Sequence, residues 1–252
     1  DRDVWQAKAR AYHKQVQARW TEPDASRTTI AAHLAARPGA TVLDIGAGTG
    51  AWTAFMARRA RHVTAVDPST AMLEVLRENV ATADLDNVTV VEGAWPEVTV
   101  EPHDFAFCSH ALYGVADLPT FVEAMADAAR RRCFLLLRAP TPDGVMAEAA
   151  RRVWGQPHDS PNFQVGYNAL LQMGIFPDVQ MEEARHWRPW TSLSLEAALD
   201  EVRDRLGLTE NGEHDAFLRD LLARRLTPEG DVYVWPPAMR SALVSWDVTS
   251  DE

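Results

Sequence analysis

The sequence predicts an α/β protein with a Rossmann-like, doubly wound and mostly parallel sheet, and three observations predict it. Short apolar runs alternate with amphipathic stretches of about 10–15 residues, as they do in βαβ units. The apolar runs are continuous, which is typical of strands covered by helices on both faces. A glycine-rich segment joins the first of these strands to the first of these helices.

The elements of the predicted core follow one another over residues 38–140. The predicted strands are TVLDI, HVTAV, NVTVVEG, FAFCS and CFLLLR, which begin at residues 41, 62, 87, 105 and 133. The predicted helices between them are AWTAFMARRA, TAMLEVLRENV and the segment 118–130. In the first helix, Trp52, Phe55 and Met56 share one face, which indicates packing against the sheet.

A helical leader is predicted before this core, over residues 1–37. Its apolar residues recur at three- and four-residue spacing up to a break at Pro23, and they are Trp5, Ala9, Tyr12, Val16 and Trp20. We interpret Tyr12 and Trp20 as a lid whose rings close over a ligand, because aromatic faces attract cations. The alternative is a stripe that only packs.

The region 141–252 has a different texture, rich in proline and tryptophan. Two further strands, at 179–187 and 240–248, are predicted to close the sheet, with helices near 194–206 and 213–225. The rest is interpreted as a helical, substrate-capping insertion within a single domain. Five tryptophans in this region suit an apolar substrate chamber or, equally, a second hydrophobic layer or a dimer surface; they are Trp154, Trp187, Trp190, Trp235 and Trp246.

Composition limits the classes of protein that this chain can represent. Apolar residues make up 46% and charged residues 24% of the 252 residues, which is ordinary for a globular chain and excludes disordered and collagen-like classes. The net charge of −11 argues against a nucleic-acid partner. We therefore expect a small-molecule ligand, and the sequence leaves a homodimer open.

The expected cellular location and the expected lack of a metal are inferred from features that the sequence does not contain. Cys108 and Cys133 lie within apolar runs and are expected to be buried thiols of a reducing compartment. No apolar run approaches the ~18–20 residues that span a bilayer, and the first residues lack a signal-peptide core. The histidines show no metal-ligand spacing. We expect a cytoplasmic protein without a membrane or metal partner.

The segment VLDIGAGTG, residues 42–50, carries most of the functional information. Gly46, Gly48 and Gly50 permit a tight strand-to-helix turn and close approach of a ligand to the backbone. The helix that follows offers free N–H groups to an anion. At the end of the second predicted strand stands Asp67, whose carboxylate can accept hydrogen bonds from both ribose hydroxyls of a nucleoside.

Two nucleoside cofactors compete for this pattern. A dinucleotide site is compatible with the looser spacing of Gly46, Gly48 and Ala51. S-adenosylmethionine is favoured by the G-x-G-x-G spacing, by the helical leader and above all by Asp44. A carboxylate there repels a pyrophosphate but attracts the ammonium group of a methionine moiety.

These motifs resemble those of the class I S-adenosylmethionine-dependent methyltransferases, over roughly residues 38–140. The resemblance implies a seven-stranded sheet with an antiparallel last strand, the glycine loop around the methionine part and Asp67 on the ribose. It also implies that Pro68 and Met72 pack against adenine. Many members place an aspartate soon after the third strand, whereas Ala94 and Trp95 stand there in this chain, which leaves the adenine contact to backbone groups or to the Trp95 ring.

The same resemblance places the segment after the fourth strand beneath the sulfonium, and this segment contains Ser109, His110 and Tyr113. A neutral His110 imidazole there could accept a proton from the substrate, with Tyr113 as a weaker candidate for the same role. The alternative is a histidine that bonds the backbone and shapes the pocket. In-line positioning alone can supply most of the acceleration.

The favoured hypothesis is methyl transfer from S-adenosylmethionine to an O, N or C atom of a small molecule. A non-catalytic protein that only holds the cofactor is the first alternative, because the reaction needs no particular side chain. An NAD(P)-dependent oxidoreductase is the second, and the charge of Asp44 argues against it. Nucleic-acid methylation is disfavoured by the net charge and by SHALY after the fourth strand.

Overall fold

The computed structural model describes residues 3, 5–21, 24–156, 158, 160–182, 190–208 and 212–248. Its helices are α1 (Ala9–Arg19), α2 (Ala25–Ala35), α3 (Ala51–Ala57), α4 (Thr70–Thr82), α5 (Leu118–Asp127), α6 (Val145–Trp154), α7 (Phe163–Gln172), α8 (Leu195–Leu206) and α9 (Asp215–Arg225). Its strands are β1 (Thr41–Ile45), β2 (His62–Asp67), β3 (Val88–Glu92), β4 (His103–Ser109), β5 (Ala129–Pro140), β6 (Asp178–Met181), β7 (Thr191–Ser192), β8 (Thr227–Glu229), β9 (Val232–Val234) and β10 (Met239–Asp247).

The chain divides into two compact units, each built from separate stretches of sequence. Unit 1 comprises Asp1–Leu137, Gly166–Glu182 and Ala242–Glu252. Unit 2 comprises Arg138–Val165 and Glu183–Ser241. The division at residues 37 and 140 stays a prediction.

A seven-stranded sheet contains the strands β3, β2, β1, β4, β5, β10 and β6, in that order. The pairs of β1 with β2 and β4, of β2 with β3 and of β4 with β5 are parallel, whereas β10 runs antiparallel to β6. The doubly wound α/β class and the antiparallel last strand are thereby confirmed. Since the chain passes from β3 to β4 across β1, the carboxyl ends of β1 and β4 mark a topological switch point, where such folds bind ligands.

The central strands are buried as their continuous apolar runs predict. All five residues of β1 are buried. The apolar cluster on one side of the sheet includes Leu34 of α2, Met56 of α3 and Phe107 of β4. Cys108 and Cys133 are free and buried, as expected, and burial raises the pKa of both thiols.

Several helices begin at side-chain caps that are legible in the sequence. The Asp24 carboxylate accepts a hydrogen bond from the Arg27 N–H at 2.6 Å at the start of α2. Ser69, Asp117 and Ser194 cap α4, α5 and α8 in the same manner. The predicted leader is thus two helices, α1 and α2, with Asp24 starting the second. None of the described helices combines the length and the apolar character that crossing a membrane requires.

Unit 2 has its own apolar core, formed by α6, α8 and α9. Leu199, Val202, Leu218 and Leu222 are fully buried in it. A small antiparallel sheet, in the order β7, β9, β8, accompanies these helices. The sequence predicts a helical insertion, whereas the structure adds this small sheet to the helices. Strands of two or three residues are too short to show a periodicity in the sequence, so the prediction misses them.

The tryptophans of the C-terminal half occupy different environments. Trp235 is buried in unit 2, where its indole N–H donates to the Ser192 hydroxyl at 2.8 Å, and Trp246 is buried in unit 1. Trp154 and Trp190 are exposed by 44% and 55%. Trp187 and part of the predicted strand 179–187 lie outside the described residues. The four described rings therefore give a common substrate chamber no support.

Candidate functional site

A cavity of about 560 Å³ opens in unit 1 at the carboxyl ends of the parallel strands. Its walls come from the turns after β1, β2, β3 and β4, from the first turns of α4 and α5, and from the leader. Ten of the thirteen predicted site residues line it, namely Tyr12, Gly46, Gly48, Asp67, Pro68, Met72, Ala94, Trp95, Ser109 and His110. Asp44, Gly50 and Tyr113 are not on its wall.

The glycine loop is held tightly against β2. The N–H groups of Gly46 and Ala47 both donate to the Val66 carbonyl, at 2.8 and 3.0 Å. Gly46 has φ +69°, and a Cβ built there would lie 2.2 Å from the Cβ of Ala111. Gly48 has φ +54° with open space around the position of a Cβ. The loop therefore brings bare backbone to the cavity, and only glycine fits at residue 46.

Gly50 serves packing and does not line the cavity. It precedes α3 with φ +82°, and a Cβ built on it would lie 2.7 Å from the Cγ of Leu76 in α4. The third glycine thus lets the start of α3 approach α4. This differs from the expected contact with the cofactor, because the G-x-G-x-G spacing does not say which glycine faces a ligand and which faces a helix.

Asp67 stands at the end of β2 on the cavity wall and is 7% exposed. Its Oδ2 accepts the N–H of Gly48 at 2.8 Å, and its Oδ1 accepts the N–H of Ser69 at 2.9 Å. Burial raises the pKa of this carboxyl, and the two hydrogen bonds oppose the rise. Each oxygen retains a lone pair, so the oriented carboxylate can accept two hydroxyl groups of a ligand.

Asp44 lies behind the loop and not on the cavity wall. Its side chain is 1% exposed and accepts a hydrogen bond from the Thr53 hydroxyl at 2.5 Å. Burial raises its pKa to about 7, against the favourable effect of Thr53. Asp44 is therefore not placed to contact the ammonium group of a ligand directly. Its carboxyl instead gains or loses a proton near neutral pH, beneath the glycine loop.

The titration of Asp44 predicts a pH-dependent stability. Because the pKa is about 7 in the folded chain and 3.8 for the ordinary carboxyl, the folded state binds more protons between these values, and the free energy of unfolding falls as pH rises through them. Asp44→Asn removes this titration. We expect the stability of the wild type relative to this variant to fall by about 1–4 kcal/mol between about pH 4 and pH 8.

Urea unfolding of both proteins across this pH range measures the effect. Asp67 titrates in both proteins, so its own contribution largely cancels, and its coulombic coupling to Asp44 is part of the measured difference. A difference that stays constant with pH would show that the carboxyl of Asp44 titrates as it does in water.

The leader helix α1 packs on α4 and contributes to the cavity wall. The Arg10 guanidinium forms a bidentate pair with the Glu78 carboxylate at 2.7 and 2.9 Å. The His13 Nδ1 lies 3.1 Å from the hydroxyl of Thr49 in the glycine loop. Tyr12 reaches the cavity, as predicted. The leader is therefore joined to the glycine loop by a hydrogen bond and to α4 by an ion pair.

The aromatic residues of the leader divide between two roles. Trp5 lines the cavity and contacts Tyr12, with ring centroids 5.2 Å apart. Trp20 instead meets Trp52 and Phe55 of α3 edge to face, at 5.2 and 5.7 Å. The lid interpretation of Trp20 is thus replaced by packing. Trp5 thus lines the cavity, although the sequence pattern identifies it only as one of the regularly spaced apolar residues of the leader.

His110 and Tyr113 form a pair after β4. The Nδ1 of His110 lies 2.8 Å from the hydroxyl of Tyr113, and the His110 N–H donates to the Leu136 carbonyl at 2.9 Å. His110 has φ +55°, an uncommon backbone conformation for a residue with a side chain. His110 lines the cavity, whereas Tyr113 does not. Tyr113 can therefore orient the imidazole without itself facing a ligand.

The region after β3 is hydrogen-bonded to the start of α5, which brings a carboxylate to the same cavity. The indole N–H of Trp95 donates to the Phe121 carbonyl at 3.2 Å, which joins this region to the first turn of α5. Asp117 lines the same cavity and caps α5 through the N–H and hydroxyl of Thr120, at 3.1 and 2.7 Å. Asp117 was not among the predicted site residues. Its signal, an aspartate before Leu-Pro, indicates only a helix cap.

The charge on the wall favours a cation. Its carboxylates are Asp67 and Asp117, and no lysine or arginine lines the cavity among the residues that the structure describes. An anionic group such as a pyrophosphate would meet two carboxylates and, on the described wall, no lysine or arginine to balance its charge. A positively charged ligand gains in the same field.

Comparisons with known proteins agree with this geometry. Residues 42–132 match the family model described as a methyltransferase domain. Over 95 residues, 36% of this chain, the sequence is 33% identical to a demethylmenaquinone methyltransferase of Listeria monocytogenes serotype 4a. The match spans 40% of that relative, so well under two thirds of its length is covered.

Two solved structures share the fold at low sequence identity. The YcgJ protein of Bacillus subtilis has a TM-score of 0.58 and 16% identity, over 89% of this chain and 98% of its own. A SAM-dependent methyltransferase from Thiobacillus denitrificans, in complex with S-adenosyl-L-homocysteine, has a TM-score of 0.53 and 16% identity, over 88% of this chain and 90% of its own.

Proposed function

We propose that this chain, a class I S-adenosylmethionine-dependent methyltransferase in its fold and its matched domain, transfers the methyl group of S-adenosylmethionine to a small molecule. The observation that carries the proposal is the cavity at the switch point, where a bare glycine loop meets the oriented carboxylate of Asp67. The structural neighbour with bound S-adenosyl-L-homocysteine and the quinone-methylating relative support it.

The wall residues fit the parts of this cofactor. Asp67 receives the ribose hydroxyls, and the glycine loop admits the methionine part. Pro68, Met72 and the Trp95 ring supply apolar surface for the adenine. Asp117, which is held by Thr120, provides an acceptor for the adenine amino group, in place of the acid that is absent after β3.

When bound, S-adenosylmethionine supplies a methyl group that its sulfonium charge already activates. The chain's residues then have three tasks. Asp67 and the loop fix the nucleoside so that the acceptor atom can approach in line. Tyr12 and Trp5 help exclude water from that side. His110 accepts the proton that the acceptor atom gives up as its new bond forms.

The acceptor is a small molecule without a strong negative charge. The described part of the cavity wall contains no lysine or arginine that could balance the charge of an anionic acceptor. A neutral hydroxyl, amine or carbon acid meets no such mismatch. Quinone-like acceptors, as the name of the Listeria relative indicates for that protein, belong to this class.

The His110–Tyr113 pair yields a kinetic prediction. Because a general base contributes about 10²–10⁴-fold, His110→Gln is expected to lower kcat about 100-fold and to leave the affinity for S-adenosylhomocysteine unchanged. Tyr113→Phe removes the hydroxyl partner of Nδ1 and is expected to lower kcat less, about tenfold, with a displaced pH profile. Steady-state kinetics across pH measure both effects. Wild-type kcat and pH profile in both variants would leave the pair a pocket-shaping role only.

The proposal is tested by binding and by turnover. Calorimetry is expected to show binding of S-adenosylmethionine and S-adenosylhomocysteine and none of NADH. Incubation with methyl-labelled S-adenosylmethionine and a metabolite extract is expected to place label in small molecules. Binding without any transfer of label would indicate a protein that only holds the cofactor. Tight binding of NADH without binding of either sulfur nucleoside would overturn the assignment.

A further inference from the structure

Unit 1 contains a second cavity, of about 650 Å³, toward the amino ends of the strands. It lies at the end of the sheet opposite to the glycine loop, since Thr41, His62 and His103 begin β1, β2 and β4. Residues 64, 89 and 91 of β2 and β3, the segment 99–102 and the arginines 61 and 130 complete its wall. The proposed methyl transfer does not use it.

The wall of this cavity is rich in hydrogen-bond donors and positive charge. It carries four threonines, two histidines and two arginines, with Glu101 as the acidic side chain. Glu101 is exposed and can turn to solvent. In a chain of net charge −11, this concentration of basic groups is local and opposite in sign to the whole.

The two arginines at the cavity have N–H groups available to bind an anion. Their neighbours Arg37 and Arg131 both pair with the Asp104 carboxylate, at 3.0 and 3.4 Å. Within the residues that the structure describes, neither Arg61 nor Arg130 is in an ion pair, and the Arg61 guanidinium donates only to the Gly39 carbonyl, at 3.2 Å. Two guanidinium groups therefore line a cavity without a carboxylate partner.

The pKa of His103 responds to the charges around this cavity. It is 5% exposed, and its Nε2 lies 2.9 Å from the Thr64 hydroxyl. Burial lowers the pKa of His103 most, and electrostatic interactions with His62 and Arg130 lower it further, whereas a hydrogen bond to the Glu101 backbone and the Asp104 carboxylate raise it. A bound anion would counter the charge of Arg130 and raise this pKa.

We propose that this cavity binds the phosphate group of a small phosphorylated molecule. Arg61 and Arg130 would hold the phosphate oxygens by charge-assisted hydrogen bonds, which are stronger than those between neutral groups. The threonine hydroxyls and His62 supply further donors. The site is separate from the methyl-transfer cavity, so the inference does not depend on the proposed function.

The test uses inorganic pyrophosphate as the probe, with sodium chloride adjusted to constant ionic strength. Calorimetry is expected to show one site on the wild type. Arg61→Gln/Arg130→Gln is expected to weaken binding about tenfold or more. Arg58→Gln/Arg77→Gln removes the same charge from exposed positions at the end of α3 and on α4 and is expected to bind as the wild type does.

Two further measurements locate the probe. Saturation with S-adenosylhomocysteine is expected to leave pyrophosphate binding intact, which distinguishes this cavity from the glycine loop. Imidazole NMR is expected to show an upward shift of the His103 pKa when pyrophosphate binds. Absence of binding to the wild type, or equal weakening in the two double variants, would overturn the proposal. So would displacement of the probe by S-adenosylhomocysteine.

Discussion

Asp67→Ala is expected to weaken binding of S-adenosylhomocysteine about 10²–10⁴-fold. Two ribose hydroxyls would lose a charged acceptor, and each hydrogen bond to a charged group contributes about 1.5–3 kcal/mol. The variant also frees the N–H groups of Gly48 and Ser69, which the carboxylate accepts at 2.8 and 2.9 Å, so the loop loses its orientation. Calorimetry with purified variants measures the change.

The role of Asp67 in recognition can be separated from its role in folding. Glu92, the residue beside Asp67 in the pairing of β2 with β3, carries an exposed carboxylate. Glu92→Gln is the control and is expected to bind normally. A 2′-deoxy analogue of the ligand is expected to bind more weakly than the ligand itself to the wild type, and Asp67→Ala is expected to weaken this analogue by a smaller factor than it weakens the ligand. An analogue that loses the same factor in both proteins would place the ribose elsewhere.

Gly46→Ala is expected to lower the free energy of unfolding by about 2–5 kcal/mol. The left-handed backbone at φ +69° disfavours any side chain, by about 1–2 kcal/mol. The added methyl would also stand 2.2 Å from the Cβ of Ala111, and overpacking adds about 1–3 kcal/mol. Displacement of the loop would abolish binding of S-adenosylhomocysteine as well.

A matched glycine separates the two contributions. Gly39 has φ +82°, a Cβ added to it would meet no atom within 4 Å, and it is remote from the cavity. Gly39→Ala is therefore expected to lose only the backbone part, about 1–2 kcal/mol. Denaturant unfolding of both variants gives the comparison. Equal losses would mean that the chain after β4 moves aside without difficulty.

Much of this architecture is legible in local sequence patterns. Each of the five parallel strands is found at or within a few residues of its apolar run. Four of them, β1, β2, β4 and β5, are mostly buried, which leaves little polar alternation to misread, whereas β3 lies at the edge of the sheet. Asp24, Ser69 and Asp117 start helices by capping chemistry that depends on near neighbours alone. The glycine loop and Asp67 belong to the same category, since both follow strand ends.

The predicted site residues that do not line the cavity have partners elsewhere in the chain. Gly50 meets Leu76 of α4, and Asp44 meets Thr53 on the buried side of the loop. A continuous apolar strand such as β1 does not reveal which face a polar residue takes. Tyr113 contacts the His110 ring but does not line the cavity, and the left-handed backbone at His110, which a histidine seldom adopts, has no signal in the sequence pattern.

The small sheet of unit 2 escaped prediction for a different reason. Its strands hold two or three residues, and one of them, β8, contains Pro228. Proline removes a donor and counts against a strand in sequence-based prediction. Pairing with β9 supplies what the local sequence lacks. The tryptophans of this half likewise take their environments from the tertiary structure.

The neighbours of the glycine loop have a consequence for how the chain matures. Gly46 and Ala47 hydrogen-bond to Val66, and Ala111 packs on Gly46, so these partners of the loop leave the ribosome after it. Contacts between segments far apart in sequence form slowly. The nascent loop thus lacks these neighbours until the residues beyond β4 are translated, and the cavity wall, which extends to Phe121, is complete only after that.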